Sequence, residues 1–93
     1  MPKVVVYSTN VCPYCVRAKS LLLRKGVEFE ELNIDQDMNL MAEMLERSQR
    51  RTVPQIFIDD FHVGGYDDMA ALDAEGRLDE LLGIPPQETD AIT

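Results

Sequence analysis

The chain holds two cysteines, Cys12 and Cys15, both in the segment "NVCPYCVRAK" with two residues between them. Thiols at that spacing have four uses: half of a metal site, a structural bridge, two buried small side chains, or a redox pair. A zinc site takes four ligands from Cys, His or carboxylate, and the chain adds one histidine, His62, to its two cysteines. His62 sits in an apolar run, "FHV", and reads as an exposed-face strand residue rather than a ligand, so no metal is expected. Core filling suits Cys15 better than Cys12. The redox use explains both positions. Pro13 suits the first position of a helix, where no N–H donor is needed, which puts Cys12 at the N-cap and Cys15 within the first turn. A thiolate at a helix N-terminus faces unpaired N–H groups and the positive dipole end, which lowers its pKa and raises the reactive fraction near neutrality. Arg17 and Lys19 add positive charge nearby. The i, i+3 spacing lets the second sulfur close a small disulfide ring. Cys12 is then the exposed attacker, and Cys15, one turn in and partly buried, the resolving thiol.

The elements that would position these thiols follow from periodicity. "KVVVYS" (3–8) is an uninterrupted run rich in β-branched residues and reads as a buried strand. The helix after Cys12 runs to about Lys25, with Cys15, Ala18, Leu21 and Leu22 on one face, and a base followed by Gly26 makes its stop. "VEFEELNI" (27–34) alternates apolar and acidic residues, with a slip at Glu30–Glu31 that reads as a bulge. Strand, helix, strand at this length is a βαβ unit, so the two strands are parallel. Asp35 or Asp37 caps a second helix, about 37–48, whose Met38, Met41, Met44 and Leu45 share a face and read as core filling. "QIFI" and "FHV" around Asp59–Asp60 read as an antiparallel hairpin. Asp67 or Asp68 caps a third helix to about Glu75, "RLDELLG" (77–83) adds a short helical turn, and "IPPQETDAIT" carries no periodicity. The expected organisation is one domain, residues 1–84, and a flexible tail, 85–93. The fold class is α/β, a small mixed sheet covered by helices on both faces. C-x-x-C beside a βαβ pattern, in a chain with no secretory signal, marks a thioredoxin-like redox site. "TVP" at 52–54 supports this: a proline belongs at a strand start, and in such a fold the loop packs against the C-x-x-C turn.

With 93 residues there is room for a single core, and 45% hydrophobic content is ordinary for a globular chain. The net charge of −8 argues against nucleic acid and against an anionic membrane surface. No stretch approaches the roughly 18 apolar residues of a spanning helix, and the N-terminus lacks the h-region of a signal peptide. The expected location is the cytoplasm. The charge is uneven: residues 1–27 carry five bases and no acid, whereas ten acids and Arg77 alone among the bases lie from Asp59 onward.

Together these residues resemble the glutaredoxin family. "CPYC" at 12–15 is similar to the dithiol active site of that family, and "TVPQIFI" at 52–58 and "GGYDD" at 64–68 match its other two motifs in order and spacing. The resemblance runs from about Lys3 to Leu82, and is strongest to the bacterial glutaredoxin 3 type. It implies a thioredoxin fold with a four-stranded mixed sheet of order 4-3-1-2 and a cis peptide before Pro54. It implies glutathione as reducing co-substrate, with Cys12 attacking mixed disulfides and Cys15 resolving protein disulfides. By the same resemblance, Thr52 and Val53 would bind the glutathione cysteinyl backbone beside Pro54. Tyr66 and Asp67 would hold its γ-glutamyl end, with Asp68 close by, and Tyr14 would line the groove. Glutathione, with two carboxylates and one ammonium, suits such a site. A residue before proline is biased to extended backbone, which can pair with a peptide; an Asp near a helix start can take the ammonium, while free N–H groups take a carboxylate.

The chain departs from the family pattern twice. Thr9 stands where many relatives carry lysine, leaving Arg51 or Arg17 to substitute, and Tyr66 stands where the family often has a further cysteine. The expected activity is glutathione-dependent thiol–disulfide oxidoreduction by a monomer. Its partners would be disulfide-containing or glutathionylated proteins, ribonucleotide reductase among those the resemblance points to. Two alternatives are an iron–sulfur cluster carrier, which the stiff, bulky Pro13–Tyr14 disfavours, and a redoxin served by thioredoxin reductase.

Overall fold

Strand β1 (Val4–Ser8) is buried along its whole length, and its side chains alternate between two layers. The computed structural model describes residues 2–84; the expected tail at 85–93 lies outside the described residues. β1 pairs in parallel with β2 (Glu30–Asn33), Val5 opposite Glu30, and antiparallel with β3 (Gln55–Ile58), Val5 opposite Phe57. β4 (Phe61–Gly64) closes the expected hairpin with β3. The sheet order is β2-β1-β3-β4, which is the expected 4-3-1-2 read from the other edge.

Among the described residues four helices cover the sheet: α1 (Pro13–Arg24), α2 (Met38–Ser48), α3 (Tyr66–Ala74) and α4 (Arg77–Leu82). Val4, Val6, Ile56 and Ile58 face one layer, where they meet Ala18, Leu21 and Leu22 of α1, Met69 of α3, and Leu78 and Leu82 of α4. Val5, Tyr7 and Phe57 face the other, beneath Met44 of α2, with Leu40 and Val53 packed at its margin. A central strand buried on both faces reads as a continuous apolar run rather than an alternation, which is why "VVVY" carries no polar residue. Lys25, at the C-cap of α1, sends its Nζ between Asp73 at 2.6 Å and Asp79 at 2.7 Å, tying α1 to α3 and α4. Those two carboxylates raise the Lys25 pKa. Among the described residues no helix is long and apolar enough to cross a membrane.

Three expectations are corrected. β2 begins at Glu30, not Val27. Val27 instead closes the end of α1, its N–H donating to the Leu22 carbonyl at 3.1 Å, and its side chain joins the α1 layer. The slip at Glu30–Glu31 is therefore the start of the strand, whose register with β1 runs unbroken, and not a bulge. The methionine stripe of α2 is not core: Met38 and Met41 are exposed, and only Met44 is buried. At 3.6 residues per turn, Leu40, Met44 and Ser48 stack on the inward face and Met38 lies well round the helix. Finally, α3 starts at Tyr66 with Gly65 at its N-cap, so Asp67 and Asp68 lie in its first turn rather than capping it. The capping work is done backwards: Asp68 Oδ2 accepts the Gly65 N–H at 2.9 Å.

Candidate active site

Pro13 opens α1, and Cys12 occupies the N-cap in extended conformation. Its Sγ accepts a hydrogen bond from the Cys15 N–H at 3.0 Å, so one unpaired donor of the helix start is aimed at sulfur. Cys12 is half-buried at the surface; Cys15, on the inward face of α1, is 1% exposed. The two sulfurs are joined in a disulfide, with Cα atoms 5.1 Å apart. The expected inequality of the two thiols is thus built by the helix: one at its open end, one turned into the core.

The charge around Cys12 is arranged differently from its sequence. Lys19 pairs with Glu31 at 2.8 Å, and the same carboxylate oxygen accepts from the buried Ser8 hydroxyl at 2.7 Å. Lys19, and then Ser8, hold the Glu31 carboxyl below its usual range. Arg17 lies over the Tyr14 ring, 5.2 Å from its centroid. Thr9 turns its hydroxyl to the Val11 carbonyl at 3.4 Å, within its own loop.

Beside this helix start lies a groove of about 280 Å³. Tyr14 forms its α1 wall, Arg50, Thr52, Val53 and Pro54 the wall before β3, and Gly65, Tyr66, Asp67 and Asp68 the wall at the start of α3. The peptide between Val53 and Pro54 is cis, as expected. Tyr14 and Tyr66 approach with ring centroids 6.2 Å apart. The six groove residues anticipated from sequence, Tyr14, Thr52, Val53, Pro54, Tyr66 and Asp67, are all brought together here.

Arg50 was not anticipated. Of the cations considered, Arg51 is exposed and does not line the groove, whereas Arg50 does. Its Nη1 lies 3.0 Å from Asp68 Oδ2. Two groups therefore hold the Asp68 carboxyl below its ordinary range: first the Gly65 N–H, then the Arg50 guanidinium. The signal available in sequence was "RSQRR", whose first arginine closes α2 and whose last two, Arg50 and Arg51, fall in this loop.

His62 is corrected as well. It is not an exposed-face residue: it is half-buried, its ring stacked on Phe57 at 4.7 Å between centroids, its Nε2 2.7 Å from Gln55 Oε1. Burial, reinforced by the nearby Arg50, pushes its pKa down. Among the described residues no group of three or more His, Cys, Asp or Glu is placed to hold a metal ion.

A four-stranded mixed sheet with a cysteine pair at the start of its first helix, and a cis-proline loop beside it, defines a dithiol oxidoreductase of the thioredoxin fold. The comparisons name the branch. Residues 4–63 match the family model for glutaredoxin. The chain is 57% identical over 82 residues to glutaredoxin 3 of Escherichia coli K12, covering 88% of this chain and 99% of that one. It is 54% identical over 82 residues to a glutaredoxin of Pseudomonas aeruginosa, covering 88% and 98%. Among solved structures it is similar to glutaredoxin from Brucella melitensis, with a TM-score of 0.78, 56% identity, and 88% and 89% of the two chains covered. It is also similar to a buckwheat glutaredoxin–glutathione complex, with a TM-score of 0.81, 32% identity, and 88% and 77% covered. The chain belongs to the glutaredoxin family.

Proposed function

We propose that this protein reduces protein disulfides and glutathione mixed disulfides, using glutathione as the electron donor and Cys12 and Cys15 as its redox pair. The observation that carries the reading is the placement of a surface cysteine at a helix start, beside a groove whose polar groups match a small extended peptide. The donor set fits glutathione. Arg50 and the N–H groups at the start of α3 suit its carboxylates, the exposed Asp67 carboxylate suits its ammonium, and the Thr52–Val53 main chain suits its peptide backbone. Tyr14 and Tyr66 give the groove apolar walls, and Pro54 sets the cis bend at its base.

The chemistry is thiol–disulfide exchange. The helix-start N–H that reaches Cys12 Sγ favours negative charge on that sulfur, which makes it the attacking thiolate. On a glutathionylated protein, Cys12 attacks the glutathione sulfur; a Cys12–glutathione disulfide forms and the protein thiolate leaves with the electron pair. On a protein disulfide, Cys12 first forms a mixed disulfide with the substrate. Cys15 then attacks Cys12, closing the bond between them and releasing the second substrate thiolate. Glutathione supplies the two electrons that reopen the pair. Cys15, buried and one turn in, meets Cys12 and not the solvent. On this reading residues 1–84 form the glutaredoxin domain, a monomer acting in the reducing cytoplasm on proteins that carry disulfides.

The test is a coupled assay on a small glutathione mixed disulfide, with glutathione, glutathione reductase and NADPH, run on wild type, Cys12→Ser and Cys15→Ser. Turnover in wild type and Cys15→Ser, with none in Cys12→Ser, is the expected result. A folded wild type that turns over with thioredoxin reductase but not with glutathione would sink the reading.

A further inference from the structure

A chain of part-buried polar contacts runs from β4 to the groove wall. Gln55 is fully buried at the start of β3. Its Nε2 donates to the Thr52 carbonyl at 3.0 Å and lies 3.2 Å from the Thr52 hydroxyl. A carbonyl oxygen can only accept, so the amide nitrogen must face Thr52, and Oε1 must face away. What it faces is His62 Nε2 at 2.7 Å. That oxygen also only accepts, so Nε2 must carry the proton. The order of donors is therefore fixed from end to end: His62 Nε2–H to Gln55 Oε1, Gln55 Nε2–H to Thr52 O.

The far end of the chain is held in place by packing. His62 lies opposite Phe57 in the β3–β4 pairing, and their rings stack at 22°. The Arg47 guanidinium of α2 sits over Phe57, 4.1 Å from the ring centroid, and donates to the Tyr7 hydroxyl at 2.9 Å. Tyr7 in turn donates to Glu43. His62 thus has little freedom to swing away from Gln55.

We propose that His62 is a positioning residue for the glutathione groove. Through Gln55 it fixes the Thr52 carbonyl, and with it the orientation of the Thr52–Val53 peptide that would pair with the ligand. The inference rests on the functional reading above, because it needs that peptide to be the ligand's backbone partner. His62 itself lies outside the groove wall. Its removal acts on how well the groove binds, not on the sulfur chemistry at Cys12.

The experiment compares wild type, His62→Phe and His62→Gln in the coupled assay, with kcat and the KM for glutathione measured separately. Phenylalanine keeps a ring to stack on Phe57 and removes both ring nitrogens, the Nε2–H donor among them; glutamine restores an N–H near the Nε2 position. The expected result is that His62→Phe raises KM about five- to tenfold, the scale of one hydrogen bond, with kcat within about twofold, and that His62→Gln recovers most of the loss. In amide hydrogen exchange without glutathione, His62→Phe speeds exchange at Thr52 and Val53 and leaves β1 unchanged. A wild type active with glutathione alongside a His62→Phe of unchanged KM would overturn the inference and leave the functional reading standing. A parallel fall of kcat and rise of KM that glutamine does not rescue would also overturn it, by making His62 a merely structural residue. Absence of glutathione turnover in wild type would remove the functional reading, and this inference with it.

Discussion

Arg50 and Asp68 join two walls of the groove, Nη1 to Oδ2 at 3.0 Å, on the same oxygen that accepts the Gly65 N–H at 2.9 Å. The residue that fastens the start of α3 is therefore also the one that holds the cation of the opposite wall. Asp67, its neighbour, is left exposed on the groove side.

This double use sets a pH dependence. The Asp68 carboxyl is held below its usual range, chiefly by the Gly65 N–H and next by Arg50. A depressed folded-state pKa contributes stability above the unfolded value of about 4, lost as pH falls through the folded value. At neutrality Asp68→Asn should melt below wild type, and the gap should close as the solution is taken into acid. Both side chains are half exposed, so the gap is modest. Melting curves from neutrality downward would decide it, and a gap that stays constant through the acid range would contradict the assignment.

Gly64 makes the same contact sterically demanding. Its φ is +112°, and a Cβ built there would run into the Asp68 carboxylate. Gly64→Ala should therefore cost about 1–3 kcal/mol in urea unfolding. Gly76, at φ +76° with open space around it, should cost less when changed to alanine. Equal costs at the two sites would mean that the clash with Asp68 is relieved without penalty.

The methionines of α2 give a third outcome. Met44 is fully buried beneath the helix, whereas Met38 is 88% exposed. Met44→Ala should lose about 2–5 kcal/mol and Met38→Ala no more than about 0.5 kcal/mol. Denaturant titrations of the two variants would show it; similar losses would return the whole stripe to the core.

What the sequence disclosed and what it withheld differ in kind. Cys12, Cys15 and the β1–α1 junction are local: a β-branched run, a proline at a helix start and an i, i+3 spacing depend on neighbours a few residues away. The Thr52–Pro54 loop and the Tyr66–Asp67 turn were legible for a similar reason, each being a short motif, although only the resemblance said that they meet. The Gln55–His62 contact was not legible. It depends on the pairing of β3 with β4, whose register shifts between Ile56 and Phe57, and no periodicity carries that information. His62, flanked by Phe61 and Val63, could face either side until its pairing opposite Phe57 was known. The α2 face was misread because three methionines and a leucine fit a helical stripe, while the stripe used, Leu40–Met44–Ser48, contains a serine. Ser48 satisfies its hydroxyl on the Met44 carbonyl at 2.7 Å and so can be buried.

The burial of Cys15 beside a half-exposed Cys12 also bears on oxidative damage. A peroxide from solvent meets Cys12 first and converts it to a sulfenic acid. That species advances to the irreversible sulfinic and sulfonic forms only if further oxidant arrives before a thiol condenses with it. Cys15 is already in bonding range, so condensation is intramolecular, expels water and returns the disulfide. The geometry that gives the pair its two unequal thiols thereby gives it a fuse that resets: an oxidative hit ends in a state the normal reductive cycle already handles.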